Sequence, residues 1–259
     1  MSKTEGQRCS FGLVINMMLP FSNVTTKLEA PIKFLLVAGL ALLVVACAAT
    51  GPGIDVGGQK APKVQPKVDP KVAAAYESAL SALRDGRSAE AEKALLALSE
   101  QNPTFSGPHA NLGIIYFHAN KMEQAKSEFQ KALQLNPENV VCLNHLGIIS
   151  RNEGKFKQAY DYYEKALQLE PDDAAIHSNL AAVYVQKGDF GKALAAYQTA
   201  VDLQPDLAQA YFGLGIVYME SGQKDEAIRA FERFLELDAG QDPMASSLAE
   251  QYLRSLKGQ

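Results

Sequence analysis

The sequence predicts an all-α fold, a solenoid of stacked helical hairpins, and three observations carry that prediction. Pro103, Pro137, Pro171 and Pro205 are spaced 34 residues apart. Small and bulky residues recur at fixed places between them. A turn-forming Gly or Asn recurs midway through each interval, where a first helix must stop and reverse. A fixed period of this length marks repeats that contact only their neighbours, in place of one globular core.

Registers that start at Ser106, Val140, Ala174 and Ala208 align the copies, with proline at position 32. Position 7 reads Leu112, Leu146, Leu180 and Leu214, and position 8 reads Gly113, Gly147, Ala181 and Gly215. Position 20 reads Ala125, Ala159, Ala193 and Ala227, and position 24 reads Phe129, Tyr163, Tyr197 and Phe231. Small residues at 8 and 20 let two helices approach closely, and a bulky residue at 24 fills the gap beside them. Leucine at 7 and tyrosine at 11 (Tyr116, Tyr184, Tyr218) lie four apart and share one helical face. Asn120, Gly154, Gly188 and Gly222 hold position 15, the turn. Proline at 32 cannot continue the second helix, and Ala239 replaces it in the last copy.

This pattern resembles the tetratricopeptide repeat (TPR), a helix–turn–helix unit of 34 residues. The resemblance implies a right-handed superhelix whose first helices line a concave, protein-binding face. It spans five units: a degenerate copy at 72–105, then 106–139, 140–173, 174–207 and 208–241. The degenerate copy keeps Gly86, Ala91, Leu95 and Pro103 but has Ser78 and Ala79 at positions 7 and 8. Terminal repeats are expected to be atypical because one face lacks a neighbour. Residues 242–259 hold Leu248, Tyr252, Leu253 and Leu256 behind Pro243 and read as a capping helix with a wet outer face. Eleven helices and no sheet are expected.

The first 71 residues are of another kind. Phe34 to Ala49 is apolar without interruption, too short for the ~20 residues of a spanning helix. Lys27 and Lys33 precede it, which reads as a signal peptide over 1–46. Residues before Met17 overextend such a signal, so the true start is expected at Met17 or Met18. Val44-Val45-Ala46-Cys47 resembles a bacterial lipobox. The resemblance implies cleavage before Cys47, lipidation of its thiol and acylation of its new amine. Two or more chains give stable membrane attachment. Ala48, in place of the aspartate associated with inner-membrane retention, implies the outer membrane, with the protein facing the periplasm. Residues 47–71 then form a linker in which Pro62, Pro66 and Pro70 are each followed by lysine and valine. Such composition favours extended polyproline II.

Charge and chemistry narrow the function. Before Cys47 stand four basic and two acidic residues, which leaves 21 basic and 27 acidic from there on, a net −6. That balance argues against nucleic acid as a partner. Cys142 reads as a small core hydrophobe. His109, His118, His145 and His177 show no metal spacing, and no phosphate loop or nucleophile motif occurs. No enzyme, cofactor or metal is expected, and a protein or peptide client is. By the TPR resemblance the groove falls at positions 2, 5, 6, 9, 12 and 13. The candidate contacts are Asn111, Ile114, His118, Asn144, His145, Ile148, Arg151, Asn179, Gln186 and Phe212. Asparagine both donates and accepts, so Asn111 and Asn179 could hold an extended peptide backbone, or equally form a solvated polar face. The lysine clamp by which some TPR proteins hold chaperone tails is ruled out, because positions 2 and 5 carry no lysine. The layout of anchor, linker and repeats resembles pilotin-type lipoproteins of type IV pilus and secretin assembly. An adaptor for peptidoglycan enzymes and a self-associating scaffold remain as alternatives.

Overall fold

Eleven α-helices follow one another along residues 69–258, the part of the chain that the computed structural model describes, and no strand occurs among them. The signal peptide, the start at Met17 or Met18, Cys47 and most of the linker lie outside the described residues. The helices pair as α1 (Pro70–Arg84) with α2 (Ser88–Gln101), α3 (Ser106–His118) with α4 (Met122–Leu135), and α5 (Val140–Asn152) with α6 (Phe156–Leu169). Then come α7 (Ala174–Gln186) with α8 (Phe190–Leu203), α9 (Ala208–Glu220) with α10 (Lys224–Asp238), and a single α11 (Pro243–Lys257).

Each pair closes on the contact that its small residues allow. A Cβ added to Gly113 would stand 2.6 Å from the ring of Phe129, one on Gly147 2.5 Å from Tyr163, and one on Gly215 2.6 Å from Phe231. Ala91, Ala125, Ala159, Ala193 and Ala227 are fully buried beside them. Burial of each position-24 ring contributes roughly 1.5–3 kcal/mol. The turn between partners is also repeated. Gly86, Gly154, Gly188 and Gly222 adopt φ of +73° to +75°, and Asn120 adopts 57°. The next residue's N–H then reaches back to the position-11 carbonyl, as Lys155 to Ser150 at 2.8 Å and Gln223 to Tyr218 at 2.9 Å. This six-to-one bond satisfies a helix-end carbonyl that would otherwise be orphaned.

The first helix starts two residues before the expected Val72. Asp69 caps it by accepting from the Lys71 N–H at 2.8 Å, and Pro70 needs no N–H at that position. The last repeat, which lacks its proline, stops through Ala239 and Gly240, both left-handed at φ 48° and 81°. Asp238 is buried there. It accepts from the Ser246 hydroxyl at 2.8 Å and the Asp242 N–H, while Asp242 caps α11. Tyr252 of α11 stacks on Phe231, so the cap covers the same ring that seals the last pair.

Each second helix packs against the first helix of the next repeat, and successive first helices also meet. Among the described residues α3 touches α5, α5 touches α7 and α7 touches α9, so first helices form one continuous face and second helices lie outside it. Cys142 is fully buried on α5 and its thiol pKa is pushed up by that burial, which suits a packing role. Tyr163 carries the one position-24 hydroxyl that is buried without a hydrogen-bond partner among the described residues. A buried hydroxyl left unpaired costs about 1–3 kcal/mol, and phenylalanine fills the same position in the second and fifth repeats. Tyr163→Phe is therefore expected to stabilise the fold by roughly 1 kcal/mol, read as a higher urea midpoint at unchanged slope; a lower midpoint would show that the hydroxyl is satisfied.

Candidate protein-interaction face

The face built by the first helices is mostly closed by contacts between neighbouring repeats. Asn111 is fully buried, and its Nδ2 donates to the Tyr76 hydroxyl at 2.5 Å and to the Gly107 carbonyl at 3.1 Å. Asn179 repeats that bond one interface further on, donating to Asn144 Oδ1 at 3.0 Å. Both bonds run from position 6 of one repeat to position 5 of the repeat before. The asparagines are thus rungs between repeats, which corrects the expectation that Asn111 offers its amide to a client. Asn144 and Asn179 stay partly exposed beside their shared bond.

Two more candidates are buried, and a third is half-buried with its ring packed between aromatic neighbours. Ile114 and Ile148 are buried between first helices, so they support the face without forming its surface. His145 lies almost parallel to the Phe129 ring, 4.9 Å between centroids, and meets Phe117 edge-on at the same distance. Its Nδ1 is buried with no partner among the described residues. Burial, with a smaller contribution from His118, lowers its pKa to about 4. His145 therefore acts as a neutral aromatic in the stack, a packing role in place of the expected groove contact. His118 is exposed at the end of α3, and Gln186 is partly exposed at the end of α7.

The remaining candidates converge. Arg151 on α5, Asn179 on α7 and Phe212 on α9 line one pocket, with Ser178 and Gln209 adding polar groups and Ala182, Val185 and Ile216 apolar ones. Its volume is about 50 Å³, space for one side chain or a few waters. Phe212 forms a fixed wall, held edge-on by Phe234 at 5.1 Å and by Phe231 at 5.8 Å. Tyr197 and Gly213 complete the pocket.

Position reading did not foresee Tyr197 here, because its place on a second helix predicts packing within its own repeat. The ring extends to Gly213 of the next repeat, which leaves no space there for a Cβ. Two departures from the register mark that crossing: Ala181 in place of glycine at position 8, and Gly213 where the three preceding repeats have Asn or His at position 6. Among the described residues no group of three His, Cys, Asp or Glu side chains is placed to hold a metal, and no helix is long and apolar enough to cross a membrane.

Unequal burial of the asparagines sets a test. Asn111→Ala leaves the Tyr76 hydroxyl unpaired in the interior and is expected to cost about 1–3 kcal/mol, whereas Asn179→Ala, beside solvent, should cost about 0.5–1.5 kcal/mol. Equal losses in urea unfolding would contradict the distinction. His145 gives a pH test. Its imidazole takes a proton near the ordinary 6.5 when unfolded and near 4 when folded. Between these values the unfolded state binds more protons, so the stabilising contribution is complete above pH 6.5 and is lost as pH falls towards 4. In His145→Phe this component should disappear, so that the difference in stability between variant and parent changes with pH across that window and is constant above it.

Segments of the chain match models of the tetratricopeptide repeat over residues 108–139, 151–195, 183–222 and 208–240. No curated protein matches the sequence. Among solved structures, MamA from Desulfovibrio magneticus RS-1 is similar at 24% identity and a TM-score of 0.57, over 67% of this chain and 98% of that one. PilW, described as a widely conserved type IV pilus biogenesis factor, is similar at 18% identity and a TM-score of 0.60, over 74% of this chain and 92% of its own. PilF of Pseudomonas aeruginosa is similar at 19% identity and a TM-score of 0.57, over 71% and 91%. At such identities the likeness is one of fold. The helical hairpins between residues 108 and 240 are tetratricopeptide repeats, and they stack into an all-α solenoid closed by a C-terminal helix.

Proposed function

We propose that the protein is a membrane-anchored scaffold of the bacterial cell envelope that holds a segment of a client protein against its first helices. TPR domains bind protein partners, and the pocket between α5, α7 and α9 is the observation that carries the reading, since there the face forms a recess among the described residues. An exposed recess with apolar walls and a few convergent polar groups is the usual form of a binding site. The anchor rests on the sequence: an apolar run that ends at Cys47, followed by a Pro- and Lys-rich tether. Attachment at Cys47 would place the solenoid in the periplasm at the outer membrane and raise the local concentration of clients. Assembly of a type IV pilus or secretin is the favoured pathway, because PilW and PilF combine this fold with names that tie them to pili. Docking of peptidoglycan enzymes and self-association are the alternatives.

Two measurements test the reading. Cys47→Ser should move the protein from the membrane fraction to the soluble fraction while its far-ultraviolet helix signal stays unchanged, and continued detergent-dependent extraction would refute the anchor. A photoreactive residue at Gln186, beside the pocket, should capture the client in living cells. A pilus or secretin component would support the favoured pathway. A cell-wall enzyme or only a second copy of the chain would replace it with the corresponding alternative.

A further inference from the structure

We infer that the pocket between α5, α7 and α9 recognises a carboxylate, and that its occupant is a glutamate side chain of the client. The inference rests on the scaffold reading and adds the chemistry of recognition. Arg151 carries it. The residue is 8% exposed, lines the pocket and forms no ion pair among the described residues; its charge acts on the buried Tyr163 hydroxyl, and none of its guanidinium nitrogens is sealed from solvent without a partner, so the fork faces the pocket opening. A buried cation without a counter-charge is costly, and folded proteins rarely keep one unless it is paired. Every other arginine among the described residues has a carboxylate within 4 Å: Arg84, Arg87, Arg229, Arg233 and Arg254 all form ion pairs. These are surface groups at helix ends and outer faces. The one arginine withdrawn from solvent is the one left unpaired.

The pocket around Arg151 is lined by no carboxylate. Across positions 2, 5, 9 and 12 of the five first helices it is the only charged residue, and the carboxylates at the remaining groove positions, Glu77 and Glu220, do not line the pocket. Pocket size and lining select the ligand. About 50 Å³ admits a single side chain. Phe212, Ile216 and Val185 offer apolar contact to two methylenes, and the guanidinium fork matches a carboxylate with two parallel hydrogen bonds. Amides of Asn179 and Gln209 stand at the same opening, and both already have partners within the chain. The first helices continue past the pocket, with α3 on one side of it and the rest of α9 on the other. A segment crossing this face would insert a side chain midway and would not need to end there. This argues for glutamate over a chain terminus.

The test uses purified full-length protein in detergent and watches the Arg151 Nε–H resonance, assigned by its loss in Arg151→Gln. The probes are N-acetyl-glutamate α-amide, the uncharged N-acetyl-glutamine amide, and N-acetyl-alanine, whose α-carboxylate imitates a chain terminus. The glutamate compound should shift the resonance saturably and bind at least about tenfold more tightly than the glutamine compound, as a charge-assisted pair requires. Arg151→Gln should melt at or above the parent temperature, because an unpaired buried charge has been removed. An equal response to glutamate and glutamine, tighter binding of the alanine compound, or no saturable shift would overturn the inference. Crosslinking from Gln186 keeps the two proposals apart. Capture of client by the parent but not by Arg151→Gln supports the carboxylate. Undiminished capture by Arg151→Gln overturns the carboxylate and leaves the scaffold standing.

Discussion

The close approach of two helices over a missing side chain is the constraint on which the solenoid depends. Where Gly113, Gly147 and Gly215 lack a Cβ, an aromatic ring lies against the backbone of the first helix. That fixes the spacing within a hairpin and leaves the ring's outer edge for the next element. The His145 ring stacks on Phe129 across the junction to the following repeat, and Tyr252 of the last helix stacks on Phe231. The packing inside a repeat therefore also makes the socket for its neighbour, which is why the terminal pair needs α11 to cover it. Stability of such a stack accumulates from hairpin and junction terms, with no single core to lose.

Most of this was legible because it depends on residue size at fixed spacing. Small residues at positions 8 and 20, bulk at 24 and a left-handed turn at 15 each have one steric consequence, and helix boundaries followed within two residues. The candidate face was harder to read. Position alone assigns Asn111, Asn179 and His145 the same slot, yet one is sealed under Tyr76, one shares a bond at the surface and one is stacked between rings. What separates them is the residue that the preceding repeat presents: Tyr76, Asn144 or Ala110. A single-repeat pattern does not contain that information, since it resides in pairs 35 residues apart.

The pocket lies where the pattern is broken. Ala181 puts a methyl where the repeats on either side have glycine, the Tyr197 ring reaches across to Gly213, and Gly213 has no side chain with which to form the position-6 rung. The rung that closes two other junctions is thus absent between α7 and α9, and a recess remains in its place. Arg151 reaches this recess from the repeat before. Local violations of an otherwise consistent sequence are the places where stability and recognition compete. Here the violation is not one residue but a correlated set on three repeats.

This arrangement explains how a repeat protein can offer specificity on a face made largely of packing contacts. Ile114, Ile148 and Asn111 hold the first helices together and are too buried to meet a partner. They make the surface rigid, and rigidity lowers the entropy lost on binding. Discrimination then falls to the few groups that the junctions leave unsatisfied. A guanidinium enclosed by Phe212 and Ile216 interacts more strongly with a carboxylate than an exposed one would, because water competes less there. The same enclosure makes the empty pocket less stable than an apolar one. Among the described residues no carboxylate pairs with Arg151, and the one group its charge is seen to act on is the Tyr163 hydroxyl, which leaves the guanidinium's hydrogen-bonding fork directed at the pocket.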